Sequence, residues 1–199
     1  MISIDSKLEL QKIIDETTSV IGSTNQTYIK FLQLMNKTNR LMMPNRLIPG
    51  VFVIFKYQPT NEYFLSSNTY YDTFPLVLVT KSYKEGFAGI NIHFLDLEYR
   101  EFLFQNLIKY LPQIRVSEDW KTRLLVSYDH LNARSNFRFF KPCYRKYLWK
   151  GITKRPIMVP FDLWEDMMRS NTMNFKNAKP TTAFRKSRKT ITKNSIKGK

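Results

Sequence analysis

The chain has 199 residues, 43% of them hydrophobic and 15% aromatic, enough apolar material for one packed core and too much for global disorder. Its net charge of +16 is unevenly placed: residues 1–133 hold 14 Lys/Arg against 13 Asp/Glu, whereas residues 134–199 hold 18 against 3. A near-neutral body with a basic C-terminal third fits a polyanion partner, most commonly nucleic acid and otherwise an acidic protein surface, while the single Cys143 excludes an internal disulfide and a multi-cysteine metal site.

Cysteine usage fits a reducing compartment. The N-terminus carries early acids without a signal-length apolar run, and no run of about 18 uncharged apolar residues occurs. The expectation is therefore a protein neither exported through a cleaved signal nor inserted in a membrane.

In chain order, Leu8, Leu10, Ile13, Ile14, Val20 and Ile21 suit an amphipathic helix within residues 1–22, and a second helical piece is predicted at about 27–37. Pro49-Gly50 then marks a turn before a strand at about 51–57. A polar loop leads to Pro75, which opens the strand "LVLVTKSY". Lys84-Glu85-Gly86 turns it back into "FAGINIHFL". Tyr70, Tyr71, Phe74, Leu76, Leu78, Phe87, Ile90, Ile92 and Phe94 would supply the core, with Asp72 capping or tethering its loop.

Asp96 and Glu98 sit at the favourable start of a helix whose Tyr99, Leu103, Leu107 and Leu111 recur every four residues, with Phe102 and Tyr110 beside them; Pro112 stops it. A further helix is predicted from about Glu118, burying Trp120, Leu124, Leu125 and Tyr128. Asp162 and Glu165 have capping-box spacing ahead of a short helix with Trp164, Met167 and Met168. The expected architecture is α+β: a small, strongly bent antiparallel β-sheet or SH3-like barrel packed with helices. It comprises an N-terminal helical or extended arm (1–45), a core domain (46–170) and a basic, flexible C-terminal tail (171–199). Nine Lys/Arg, no acid and few large apolar side chains argue for that mobile arm.

Catalytic and metal-binding patterns are weak. His93 and His130 lie on different elements without a ligand at metal spacing; His93 alternates with Asn91 on its strand and fits a satisfied structural histidine. Asp119-Trp120-Lys121 has the Asp-x-Lys form of some metal-dependent nucleases but falls in a predicted helix without an upstream acidic strand residue. Phosphate-loop, dinucleotide and nucleophile-elbow motifs are missing. Cys143 lies near Lys141, Arg145 and Lys146, but a catalytic thiol needs a paired histidine, and a packed role is expected. The Pro-Gly opening and the "PLVLV" strand resemble the barrel of MazF-type RNA-cleaving toxins. Phe74-Pro75, however, stands where those enzymes carry Arg-Pro, so a barrel nuclease is kept only as a minor alternative. No catalytic residue, metal ligand or cofactor is assigned.

The basic segment is more informative. Between Arg134 and Arg155, Phe137, Phe139, Phe140, Tyr144, Tyr147 and Trp149 interleave with Arg138, Lys141, Arg145, Lys146, Lys150 and Lys154, without an acid. A helix at about 142–150 would set Arg145 one turn from Trp149. With Arg155, Arg185, Lys186, Arg188 and Lys189, these bases are the candidate nucleic-acid-binding residues.

Together "PGVFVIFKYQP", "YYDTFPLVLV", "GFAGINIHFL" with Arg100 after it, "FKPCYRKYLW", "FDLWEDMM", "FKNA" and "SRK" resemble a family of small basic proteins of T4-like and other tailed bacteriophages, over about Leu47 to Lys189. The resemblance implies a virion or packaging-associated protein similar to the DNA end protector, found in the virion and, during assembly, the host cytoplasm. Two departures stand out. Ile92-His93-Phe94-Leu95-Asp96-Leu97 replaces a Leu-His-Tyr-Leu-Pro-Pro run, and the loop at 58–70 is long, so loop-borne contacts do not transfer. The expected function is non-enzymatic, sequence-independent binding of double-stranded DNA ends or the terminal packaged DNA. The alternative is a neck, tail or baseplate component whose basic tail grips other virion proteins.

Overall fold

A computed structural model describes residues 47, 49–60, 69–108, 141–153, 156–160, 163–170 and 173–196. The helices predicted within 1–45 and from Glu118 fall outside these residues. Among the described residues the fold is mixed α+β, with a five-stranded antiparallel sheet, a two-stranded ribbon and three α-helices.

Strand β1 (Phe52–Ile54) follows the Pro49-Gly50 turn. Gly50 adopts a φ of 89°, a left-handed conformation that favours glycine. It lets the Gly50 N–H donate to the Val79 carbonyl while the Val79 N–H donates to Val51, both at 2.8 Å. The turn thereby fixes β1 against β3 (Leu76–Ser82), in the register Phe52 to Leu78 and Ile54 to Leu76. Strand β3 pairs in turn with β4 (Gly86–Asn91), the Tyr83 N–H donating to Gly86 across the hairpin. The register shifts between Val79 and Lys81, and the intervening Thr80 donates its hydroxyl to Ala88. Strand β2 (Tyr71–Asp72) lies outside this sheet and forms the ribbon with β7 (Phe175–Lys176).

Strand β5 (Tyr144–Leu148) pairs with β4, and β6 (Ile157–Met158) pairs with β1, giving the order β5-β4-β3-β1-β6. The helix expected at 142–150 is therefore corrected: the segment is a strand between the 3-10 turns Lys141–Cys143 and Trp149–Gly151. The cause is tertiary. Edge pairing, with Phe87 opposite Tyr147 and Gly89 opposite Arg145, overrides a four-residue spacing that is only local.

Alternation along the strands supplies two apolar faces. Phe52, Ile54, Leu76, Leu78 and Ile90 belong to one core cluster, and Val51, Val53, Phe55, Val77, Val79, Phe87 and Tyr147 to the other. In a flat sheet β1 and β5 would lie about 14 Å apart, three strand spacings. Yet the ring of Phe55, just past β1, sits 5.0 Å from that of Tyr147 on β5 and 5.3 Å from Phe87 on β4. Tyr57 also bridges to Ile152. The sheet is thus curled around the second cluster, though not closed into a complete barrel.

Helices cover the first cluster. In α1 (Leu97–Ile108), Asp96 accepts from the Tyr99 N–H at the start, and Arg100, Leu103 and Phe104 are buried, whereas Leu97 and Phe102 are 59% and 44% exposed. The helix α2 (Trp164–Arg169) buries Trp164, Met167 and Met168; the Trp164 indole donates to Val159 and meets Phe52 edge-on at 4.8 Å. Its N-cap is Leu163, and the predicted capping residue Asp162 lies outside the described residues.

The tail expected to be flexible is also corrected. Residues Pro180–Ile196 form helix α3, and Ala183, Ser187 and Ile191, four residues apart, are buried. Ala183 and Ile191 belong to the helix-covered core cluster, which therefore runs beyond the boundary expected at 170. Small residues permit close docking, so little apolar volume is needed. Pro180, at the first helical position, suits the start because its missing N–H lacks a helical partner there anyway.

Close strand contact at Gly89 gives a direct test. A Cβ there would lie 2.2 Å from the Leu78 carbonyl oxygen and 2.5 Å from Val77 Cγ1. Gly89→Ala is expected to destabilise the protein by about 1–3 kcal/mol, as overpacking does, read as a lower urea midpoint at unchanged m-value.

Candidate nucleic-acid interface

The interior behind the interface is organised by Asp72. Its Oδ1 accepts from the N–H of Phe74 at 3.0 Å and of Asn174 at 3.4 Å, the first of these tethering its own loop. Its Oδ2 accepts from Asn91 Nδ2 at 3.0 Å and lies 2.6 Å from His93 Nδ1. Asn91 Nδ2 also reaches the Tyr147 hydroxyl at 3.1 Å, and Asn91 Oδ1 accepts from the His93 N–H. The His93 and Asp72 side chains are 0% and 1% exposed.

Burial pushes the His93 pKa down, against the opposing pull of Asp72. Burial thus favours the neutral ring, whose Nδ1–H donates to the carboxylate. Burial raises the Tyr147 phenol well above its ordinary value. Arg100 completes the interior by donating to the carbonyls of Ile92, Leu95, Met168 and Ser170, joining the turn after β4 to the end of α2. Burial lowers its pKa to about 10 despite the nearby Asp72 and Asp96. These groups resemble an acid-base constellation only by composition. Four donors occupy the Asp72 carboxylate and the imidazole is enclosed, an arrangement that stabilises the fold. Cys143 is buried too, its thiol pushed up to about 12 by desolvation, so it is no thiolate nucleophile.

Above this interior lies a cleft of about 280 Å³, lined by Tyr57, Tyr70, Asp72, Phe94, Arg145 and Tyr147 among others. Tyr57 and Tyr147 meet edge-on at 5.0 Å, and Tyr70 lies 6.0 Å from Phe94. Half-buried Arg145 donates from Nη1 to the carbonyls of Pro142 and Tyr144, at 2.7 and 2.8 Å, and its guanidinium lies 4.2 Å over the Phe94 ring. Lys146 also lines the cleft; its ammonium is 4.9 Å over Tyr83. Lys186 on α3 stands 4.6 Å over Tyr70.

The candidate bases separate by placement. Lys146, Lys150, Arg185, Lys186 and Lys189 are exposed. Arg188 instead binds Asp96 at 3.0 Å and Glu98 at 2.6 Å, which raises its pKa and anchors α3 to the start of α1. Lys141 lies in the 3-10 turn before β5. Arg138, Lys154 and Arg155, like His130 and Asp119, are outside the described residues. Tyr71 and Phe94 are buried, as the sequence predicts, and Tyr70 is half-buried against the cluster that holds Phe94; the cleft beside them is not legible in the sequence because it depends on the pairing of Tyr71–Asp72 with the distant Phe175–Lys176.

Among the described residues no group of three or more His, Cys, Asp or Glu is placed to hold a metal ion, and no helix is long and apolar enough to cross a membrane. Comparisons with protein-family models, curated proteins and solved structures find no match.

Asp72→Asn replaces an acceptor with a group unable to satisfy the same donors, and should destabilise the fold by about 1–3 kcal/mol for each buried donor left unsatisfied. Because the folded-state pKa of His93 lies below the unfolded value of about 6.5, the unfolded chain takes up the proton first. Its contribution is fully present above that value and declines as pH falls toward the folded-state pKa. Denaturation midpoints should drop as pH falls below about 6.5, less steeply in His93→Asn; equal slopes would contradict a lowered His93 pKa. Cys143 should react with a thiol reagent only after denaturation.

Proposed function

We propose that this is a non-enzymatic DNA-binding protein of a tailed-bacteriophage particle, neutralising duplex phosphates without reading sequence. The observation that carries the DNA-binding part is helix α3. Its 17 residues contain no acid, and Arg185, Lys186 and Lys189 are exposed while its opposite stripe is docked on the core. Lys146 and Lys150, exposed on and just after β5, extend the basic surface. A docked helix holds its charges ready, so less ordering entropy opposes binding than for a free arm.

The phage assignment rests on the family resemblance, including its tie to DNA ends. The order β5-β4-β3-β1-β6, together with the Tyr57–Ile152 bridge, supports an SH3-like barrel as the finer description of the core. The saturated Asp72 carboxylate and protonated Cys143 favour a binding role over catalysis.

Full-length protein should bind linear duplex with an affinity that falls steeply with salt. Replacing Arg185, Lys186 and Lys189 together by Gln should make the log–log salt slope shallower by up to about 2.7, since each lost phosphate contact contributes roughly 0.9. Thermal unfolding should change little, because these three side chains are exposed. Failure of the unaltered protein to bind at low salt would overturn the DNA proposal and favour an acidic virion subunit as the partner.

A further inference from the structure

We infer that the cleft between the β2 segment and β5 binds one unpaired nucleotide at a DNA terminus, a proposal that rests on the DNA-binding reading and gives that reading its preference for ends. At about 280 Å³ the cleft can take a base with its sugar but cannot admit a duplex. Its aromatic lining has the chemistry of a base-stacking platform. Half-buried Tyr57 and Tyr70 supply the reachable rings, backed by the buried Phe94 and Tyr147, and every base has a π-face to offer them.

Charge makes the cleft suitable for a nucleotide rather than a neutral aromatic ligand. Arg145 is pre-oriented by two carbonyls, with its guanidinium carbon 4.2 Å from the Phe94 ring centroid, and a guanidinium is a group on which bases stack. Lys146 lines the same cleft, and Lys186 sits over Tyr70. Among the described residues, none of these three cations is in an ion pair with a carboxylate. They remain available to a phosphate. The Asp72 carboxylate at the cleft already accepts from four donors, with Arg100 close enough to feel its charge, so it is not an open cation site.

A paired base inside a duplex must be unstacked before it can enter, at a cost that an overhanging nucleotide avoids. The exposed bases of α3 act on phosphates anywhere along a duplex; the cleft distinguishes an end from an interior. Tyr70 is the chosen probe because it is half-buried and its ring packs near Phe94 and Phe175.

The experiment measures competition by unlabelled DNAs at fixed salt, comparing closed circular duplex with linear duplex of equal length bearing two-nucleotide overhangs. Full-length protein and its Tyr70→Phe and Tyr70→Leu variants are used, with the dinucleotide pdTpdT titrated in parallel by aromatic NMR. The overhanging duplex should bind about tenfold tighter than the circle, as one stacked base warrants. Tyr70→Phe should keep that ratio and Tyr70→Leu should lose it, both retaining wild-type affinity for the circle. The dinucleotide should shift the Tyr70 and Tyr147 ring resonances in unaltered protein, a readout independent of whether either variant folds. Equal affinity for both duplexes, with no shift by pdTpdT, would overturn the cleft proposal and leave the DNA-binding reading standing. A dinucleotide shift without duplex binding would do the reverse, and absence of both would remove the two together.

Discussion

The hydrogen-bonded carboxylate of Asp72 is the constraint on which the other parts converge. Its donors come from its own loop, from Asn91 at the end of β4, from the following 3-10 turn and from the approach to β7. A buried carboxylate is costly unless its acceptor sites are filled, so these four regions are held to one mutual arrangement. Arg100 performs a similar task a few residues further on, filling its donors with four carbonyls from two elements. Polar groups thus fix the geometry, while the apolar clusters on both faces of the curled sheet supply most of the driving force.

That division of labour places the proposed interface. The two edge segments, β5 and the β2–β7 ribbon, are brought beside each other by the interior network, Tyr147 reaching it through Asn91 and β2 through Asp72 itself. Arg188 belongs to the same basic run as Arg185, Lys186 and Lys189, yet its charge is paired with Asp96 and Glu98 at the start of α1. Such an exposed ion pair contributes little stability by itself. Its value is orientation, fixing which side of α3 turns outward.

The central hairpin and the helix after it were legible because their signals are local: Pro49-Gly50, β-branched runs, the turn at Gly86, and Asp96 ahead of a four-residue apolar period. Cys143 was expected to be packed, and His93 to be satisfied, on the same local grounds. The misses have a common physical cause. Strand β5 has a spacing compatible with a helix, and only its pairing with β4 decides otherwise. Helix α3 docks through Ala183 and Ser187, residues that do not register as an apolar stripe by composition. The ribbon of β2 and β7 is too short and too distant in sequence to leave any periodic trace, and the cleft depends on that ribbon.

Thr73 and Asn174, joined by a 2.9 Å hydrogen bond, are 101 positions apart, and their ribbon has an implication for biosynthesis. A ribosome adding roughly 5–20 residues per second makes the first strand about 5–20 s before the second. Through that interval the nascent hairpin carries a carboxylate short of one donor and a sheet face still awaiting Ala183 and Ile191. Chaperone capture or unwanted strand pairing has its widest opportunity then, and the late emergence of the C-terminal helix brings it to an end.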